Sequence, residues 1–565
     1  MSSPVPIVSE STSSSCDLGR HNDLLAEDDA SAVPRVLFNE DLLDNIVGFL
    51  HHSQYTDDPV SVARLARTSR RLQYTATRAL WATLDSLVPL LKLIPGLTWN
   101  QHREEGGTVR WDVAEAATTP PDALALNTTR FECYSSLVKT FIWTDQDLAA
   151  EAFFFFLNAL SEFGKPWLPA VRKFKDQSRD YLPPLVVFGA PTLQSLLVNG
   201  FITKEESLLD LLEELPERCA GLQQIHLMCT TDAMWSSVNS DFYPNVTTFL
   251  VRGIDGASLM GLRHLRTIVP IGWEGMSCLA HMPQLEQLEM FLFDLDFDGL
   301  DVQLLPANPF PSLTRVWLHM LELDDGFVEL IDNIHSVHLN ILQIQIAHKA
   351  PDVATTRKFF ESVARSAFSR NLTKLCFLVQ STTQTEANPQ SLQPPTSSIH
   401  TLQPLLLLDL EVLSIEVPRI FLYSEDIDDM AAAWPRLQGI KIRQTWHIVA
   451  PVEVHALLAF ADCCYLEEID FDVGMDDVPY ELDHHPRPLT SVRYQSCRIV
   501  CRTKATYYYC VAYLDRLYPY ATTQEALDKL WEYFDQLDSA QADEHSSSLV
   551  AGPSDDGYFE IFVPD

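Results

Sequence analysis

Apolar positions along this chain change their period near residue 190, and each period predicts a different architecture. Between residues 37 and 84 the spacing is helical. Leu42, Leu43, Ile46, Val47, Phe49 and Leu50 follow Asn39, whose side chain suits an N-cap, with Glu40 and Asp41 in the first turn where the helix dipole favours negative charge. Asp58 and Pro59 mark a second start, because proline at the first helical position forfeits no hydrogen bond, and Val62, Leu65, Ala66 and Ser69 form the inner stripe behind it. A third segment keeps the period through Leu72, Ala76, Leu80 and Leu84, with Trp81 beside it. The expectation is a helical module over 35–94. So short a module closes only a small core and leans on a neighbour or a partner.

From residue 190 the pattern becomes L-x-x-L-x-L with apolar substitutions. It reads Leu193/Leu196/Val198, Leu222/Ile225/Leu227, Val246/Phe249/Val251, Leu265/Ile268, Leu285/Leu288/Met290 and Leu313/Val316/Leu318. It continues as Leu339/Leu342/Ile344, Leu372/Leu375/Phe377, Leu410/Leu413/Ile415, Leu437/Ile440/Ile442, Leu466/Ile469/Phe471 and Leu489/Val492/Tyr494. Leu193 to Leu489 is 296 residues over eleven intervals, a mean near 27, with single intervals from 19 to 38. That period is the one of leucine-rich repeats. One short parallel strand per unit follows, its L-x-L pair turned inward at period two while a return segment, often helical, runs on the other side. Leu208 to Leu215, Phe327 to Ile334 and Phe359 to Phe368 read as such helices, and Val138/Phe141/Trp143 and Val171/Phe174 as degenerate first units.

The expected fold is therefore α/β, a small N-terminal helical module followed by an irregular leucine-rich-repeat solenoid with parallel strands on the concave face and helices and loops on the convex face. The expected divisions are a disordered acidic, serine-rich tail (1–34), the helical module (35–94), a linker with degenerate repeats (95–189) and the solenoid (190–520). A disordered polar insertion interrupts the solenoid near 381–399, a capping helix spans 521–538 and an acidic tail spans 539–565. The usual Asn or Cys beyond each strand is met only by Cys497, which predicts that the buried side-chain ladder of regular repeats is missing.

The stretch from Leu37 to Leu84 is similar to an F-box, the motif by which substrate receptors attach to the Skp adaptor of cullin-RING ubiquitin ligases. It departs from the common pattern at Phe38, where a proline usually follows the leucine, and at Thr68-Ser69. The segments APTLQSLLVNG, CAGLQQIHL, MPQLEQLEM, FPSLTRVWL and AWPRLQGIKI resemble those of F-box proteins of the large families in mushroom-forming fungi, over residues 36 to about 520. The resemblance implies a substrate-recognition subunit of a Skp-cullin-F-box ligase, without catalysis of its own. It also implies adaptor contacts through Leu37, Phe38, Leu42, Leu43, Ile46, Leu50, Val62, Leu65, Leu72 and Trp81. The alternative is a leucine-rich scaffold whose helical segment is only a solenoid cap.

Composition narrows the partners. Lys plus Arg is 40 and Asp plus Glu 77, a net charge of −37, which disfavours nucleic acid and anionic membranes. The excess is not uniform, since residues 36–94 carry six acids and six bases while 521–565 carry eleven acids and one base. Eleven thinly spread cysteines and an N-terminus without a signal-peptide pattern predict a reducing compartment, cytoplasmic and/or nuclear.

No catalytic motif stands out. There is no Walker loop, no G-x-G-x-x-G after a strand and no G-x-S-x-G elbow. Asp294, Asp296, Asp298 and Gly299 open like a calcium loop, but Leu305 stands where a bidentate Glu belongs; Cys463, Cys464, His484, His485, Cys497 and Cys501 lack zinc-knuckle spacing. No metal or other cofactor is expected. The remaining candidate is the concave face, whose side chains flank the inward pairs. Among them Phe291, Arg315, Trp317 and His319, on neighbouring central units, are the aromatic and arginine anchors expected to hold a protein target. Lys441, Arg443, Glu468, Asp470 and Asp472 form a second cluster that can neutralise itself across adjacent strands.

Overall fold

The computed structural model describes residues 59–68, 70–103, 109–114, 127–144, 147–161, 165–178, 182–199, 205–228, 260–268, 273–292, 305–379, 399–417 and 422–443, parts of 452–474, and 498–500. The helix expected at 39–50, the strands at 246–251 and 489–494, nearly all of the insertion at 381–399, the capping helix and both tails lie outside these residues. The chain divides into two compact units, residues 1–222 and 223–565.

The first unit begins with helices α1 (Pro59–Thr68) and α2 (Arg70–Ala82). Pro59 opens α1, as its missing N–H allows. Val62 and Ala76 are fully buried between the two helices, and Leu65, Ala66, Ala79 and Leu80 pack around them. The helical period read through Leu84 stops earlier. Strand β1 (Thr83–Leu84) takes over, with Leu84 buried and paired to Phe141. The neighbouring strand supplies backbone partners that one more helical turn could not use, and the period alone could not reveal them.

An antiparallel hairpin, β2 (Trp99–Arg103) and β3 (Val109–Val113), interrupts the run. The parallel sheet then continues through β4 (Thr140–Trp143), β5 (Lys173–Asp176) and β6 (Ser195–Asn199), so the degenerate triplets do form strands. Helix α3 (Ala150–Ser161) contains the four consecutive phenylalanines. Phe153, Phe155 and Phe156 are buried and only Phe154 is exposed, which is how one amphipathic turn divides a short apolar run. Among the described residues no helix is long and apolar enough to cross a membrane. Helix α4 (Glu205–Arg218) buries Leu208, Leu211, Leu212 and Leu215.

The second unit is a parallel array. Its strands are β7 (Gln224–Met228), β8 (His264–Thr267), β9 (Gln287–Leu292), β10 (Arg315–Met320), β11 (Ile341–Ile346), β12 (Lys374–Val379), β13 (Val412–Glu416), β14 (Gly439–Arg443), β15 (Val452–Glu453), β16 (Glu468–Gly474) and β17 (Arg498–Val500). Each of β7 to β13 pairs with the next in sequence, β14 pairs with β16, and β15 and β17 join the far end of β16. The inward rows bury Leu288, Val316, Leu342, Leu375, Leu413 and Ile440 against the return segments. Helices α5 (Asp325–Asp332) and α6 (Val353–Arg365) cover them, with the Phe359 ring 5.1 Å from that of Phe377 on β12. Asp324 and Asp352 cap these helices by accepting the N–H of Phe327 at 2.8 Å and of Thr355 at 2.7 Å.

Register corrects one unit. Leu265 pairs with Ile225 and Leu288, so it takes the second apolar position and not the first. Leu262 is the leading residue, and the third inward position is Thr267, fully buried. A search for apolar residues passes over that threonine and slides to Ile268.

Neighbouring turns are tied by backbone. The carbonyl just before each strand accepts two successive N–H groups from the next turn: Glu286 O takes Thr314 and Arg315 at 2.8 and 3.1 Å, Thr314 O takes Asn340 and Ile341 at 2.9 and 3.2 Å, and Thr373 O takes Glu411 and Val412 at 2.8 and 2.9 Å. Hydroxyls add to the tie, Ser336 Oγ donating to Leu313 O at 2.6 Å and Thr314 Oγ1 to Glu286 O at 3.0 Å. These bonds join the turns without an asparagine ladder.

Candidate interaction surfaces

Two surfaces correspond to the residues singled out from sequence. The first is the helical pair. Val62 is buried inside it, Leu65 and Leu72 are half-buried, and Trp81 packs on Tyr134 with ring centroids 4.9 Å apart. Val60 and Tyr74 are the large apolar side chains that it exposes among the described residues. Leu37, Phe38, Leu42, Leu43, Ile46 and Leu50 lie outside the described residues.

The second surface is the strand face turned away from the helices. Strand alternation places residues two apart on one side, and the parallel register aligns them in rows across the unit. One row runs Arg266, Glu289, Trp317, Gln343, Cys376, Ser414, Lys441, Asp470; the next contains Phe291, His319, Gln345, Leu378 and Glu416. Phe291 and His319 are therefore cross-strand neighbours. Their rings stack with centroids 4.1 Å apart and planes 3° from parallel, and His319 also stacks on Trp317 at 5.2 Å. Arg315 shares the side of Trp317 at the start of β10 and is exposed.

The structure thus brings Phe291, Trp317 and His319 into one aromatic cluster, with Arg315 at its edge. The cluster is less open than a surface patch, since Phe291 is 3 % and His319 8 % exposed. Trp317 Nε1 and His319 Nε2 are buried, and neither has a hydrogen-bond partner among the described residues. Beside them Arg266 Nε and Glu289 Oε1 form an ion pair at 2.8 Å. Burial pushes the Glu289 carboxyl up, opposed by the Arg266 charge. Burial and then the Arg266 charge pull His319 down to about 4, opposed by its contact with Gln345, so the imidazole is neutral at physiological pH.

Sequence reasoning missed Arg266, because reading the unit as Leu265/Ile268 shifted its register and took Arg266 out of the outward positions that flank the inward pair. Leu262 was the signal that could have restored it. Farther along, Lys441 Nζ lies 3.8 Å from Asp470 Oδ2, with Asp470 4 % exposed, so these two charges of the second cluster face each other across adjacent strands. Among the described residues no group of three or more His, Cys, Asp or Glu is placed to hold a metal ion, and the calcium-like loop at 294–305 lies outside them.

No protein-family description matches the chain, and no curated protein does. Similar solved structures include an internalin from Listeria monocytogenes, 10% identical over 60% of this chain and 82% of that one, with a TM-score of 0.31. A leucine-rich-repeat protein of Leptospira interrogans is 12% identical over 64% of this chain and 92% of that one, with a TM-score of 0.30. Similarity at that level adds no weight to the strand register, on which the repeat fold stands.

Proposed function

We propose that this chain is a receptor subunit, whose helical module over 37–84 docks to the Skp adaptor of a Skp-cullin-F-box ubiquitin ligase while the repeat array holds a protein target. The observation that carries the reading is the aromatic cluster on the strand face, a desolvated anchor of the kind that concentrates binding energy. The helical pair running directly into β1 supports it, since the module is continuous with the first strands of its own unit. Transfer then needs only proximity, because tethering a target lysine near the charged conjugating enzyme raises its effective concentration. Replacing Leu42 or Ile46 by Asp should abolish copurification with the adaptor and leave the far-UV circular dichroism of the array intact. Retained copurification would sink the assignment.

A second reading is favoured by Trp81, whose ring packs on that of Tyr134, and by Leu84 on β1. Both uses suit a helical cap on a scaffold that binds a protein without an adaptor. A target captured by the intact chain with no adaptor in the complex would select this reading.

A further inference from the structure

The strand face holds an unbalanced set of polar groups at its aromatic cluster. A buried polar atom without a partner destabilises a fold, and here two ring nitrogens stand so within one stack. Trp317 Nε1 can only donate. His319 is neutral and makes a contact with Gln345 through its side chain, so Nε2 is either a lone pair or an N–H according to tautomer. The nearby charges are already used on each other, Arg266 on Glu289 at 2.8 Å. What remains for a ligand is a flat apolar platform, one certain donor and one nitrogen of either sense.

Resting on the receptor reading above, we infer that the cluster of Phe291, Trp317 and His319 anchors an uncharged segment of a protein target, through an amide whose carbonyl accepts from Trp317 Nε1 and whose remaining polar atom meets His319 Nε2. An amide offers an acceptor and a donor in one plane without a charge, and its plane stacks on aromatic rings. The face suits a segment and not a small molecule. The five strands β8 to β12 at about 4.8 Å spacing span roughly 19 Å, the reach of about six extended residues. Charge argues against an acidic or phosphorylated segment, because the chain carries a net charge of −37 and Arg266 beside the cluster is already paired with Glu289, which leaves exposed Arg315 as the cation at the cluster's edge. Trp317 is partly exposed while its Nε1 is buried, so contact with the amide requires the indole to turn outward, and the bond then formed removes an unpaired buried donor.

The test uses the full chain and dye-labelled twelve-residue peptides in three sets: uncharged with Asn, Gln and aromatic residues, acidic with Glu or phosphoserine, and basic with Lys or Arg. Fluorescence anisotropy should select the uncharged set. Trp317→Phe, which keeps a ring and removes the donor, should weaken that binding about tenfold. The same variant should leave the thermal midpoint unchanged or higher, because an unpaired donor has gone, and His319→Phe should also weaken binding. A merely structural tryptophan would lose midpoint and binding together, and that result overturns the inference. Selection of acidic or basic peptides, with Trp317→Phe neutral, overturns it too while leaving the receptor reading in place. Failure of all three sets to bind removes the anchor and counts equally against the array as a target-holding surface.

Discussion

The outer strand face of the second unit carries a cross-strand ion pair near each end, in the same register row, yet the two surroundings differ. At β8 and β9 Arg266 meets Glu289 at 2.8 Å, beside Trp317 and two unpaired ring nitrogens. At β14 and β16 Lys441 faces Asp470 at 3.8 Å, beside Ser414 and without an aromatic ring in the aligned positions. Parallel pairing makes both contacts possible, because in-register neighbours sit one strand apart. In both places opposite charges cancel. Charge therefore does not distinguish the two places on this face; aromatic area and unspent hydrogen-bonding groups do.

The largest test removes what the two ends share. Phe359 is fully buried on α6 against Phe327 and Phe377, beneath the middle of the sheet. Phe359→Ala should cost about 3–5 kcal/mol and lower the stability of both ends together in urea denaturation followed by circular dichroism. A shift under about 1 kcal/mol would mean that α6 contributes little to the common interior.

Acid should separate the ends. His319 is held down to about 4 against an ordinary 6.5, so as pH falls from about 6.5 the unfolded chain takes up a proton before the folded one. The folded state is thus fully favoured above 6.5 and loses up to about 3 kcal/mol by pH 4. Glu289, with its carboxyl raised, acts in the opposite sense, and the comparison must be made against His319→Phe. Urea midpoints at pH 7 and 4.5, read by tryptophan fluorescence, should differ more for the wild-type chain than for that variant. Equal differences would refute a neutral, buried His319.

The smallest effects should come from the ion pairs themselves. Glu289→Gln leaves a half-exposed Arg266 without its partner, and a loss of about 1–2 kcal/mol is expected. Lys441→Gln breaks a longer contact, and about 0.5–1 kcal/mol is expected. Thermal melts of the two variants give the order directly. A larger cost for Lys441→Gln would show that the buried Asp470 depends on that one lysine.

Much of the array was legible because inward leucines at period two and a repeat near 27 leave few other ways to bury them. The triplets at 313, 339 and 372 fall on strands in the expected phase, and the stacked position of His319 beside Phe291 follows from that phase alone. The failures have local causes. Thr267 fills an inward position with a polar residue, so the unit slipped and Arg266 was hidden. Leu84 kept a helical period while pairing as a strand, and the hairpin of β2 and β3 was passed over although Gly106-Gly107, a turn dipeptide, stands between its strands in the sequence. The unpaired state of Trp317 Nε1 could not be read at all, since it depends on which atoms surround the indole and not on spacing.

The shared carbonyls between turns make the spacing of repeats independent of their contents. Because Glu286, Thr314 and Thr373 each grip the following turn through main-chain atoms, a turn can change its side chains or lengthen its return path and still be received by its neighbour. A whole turn becomes an interchangeable part, so the array can exchange the side chains on its strand face while its joints stay the same.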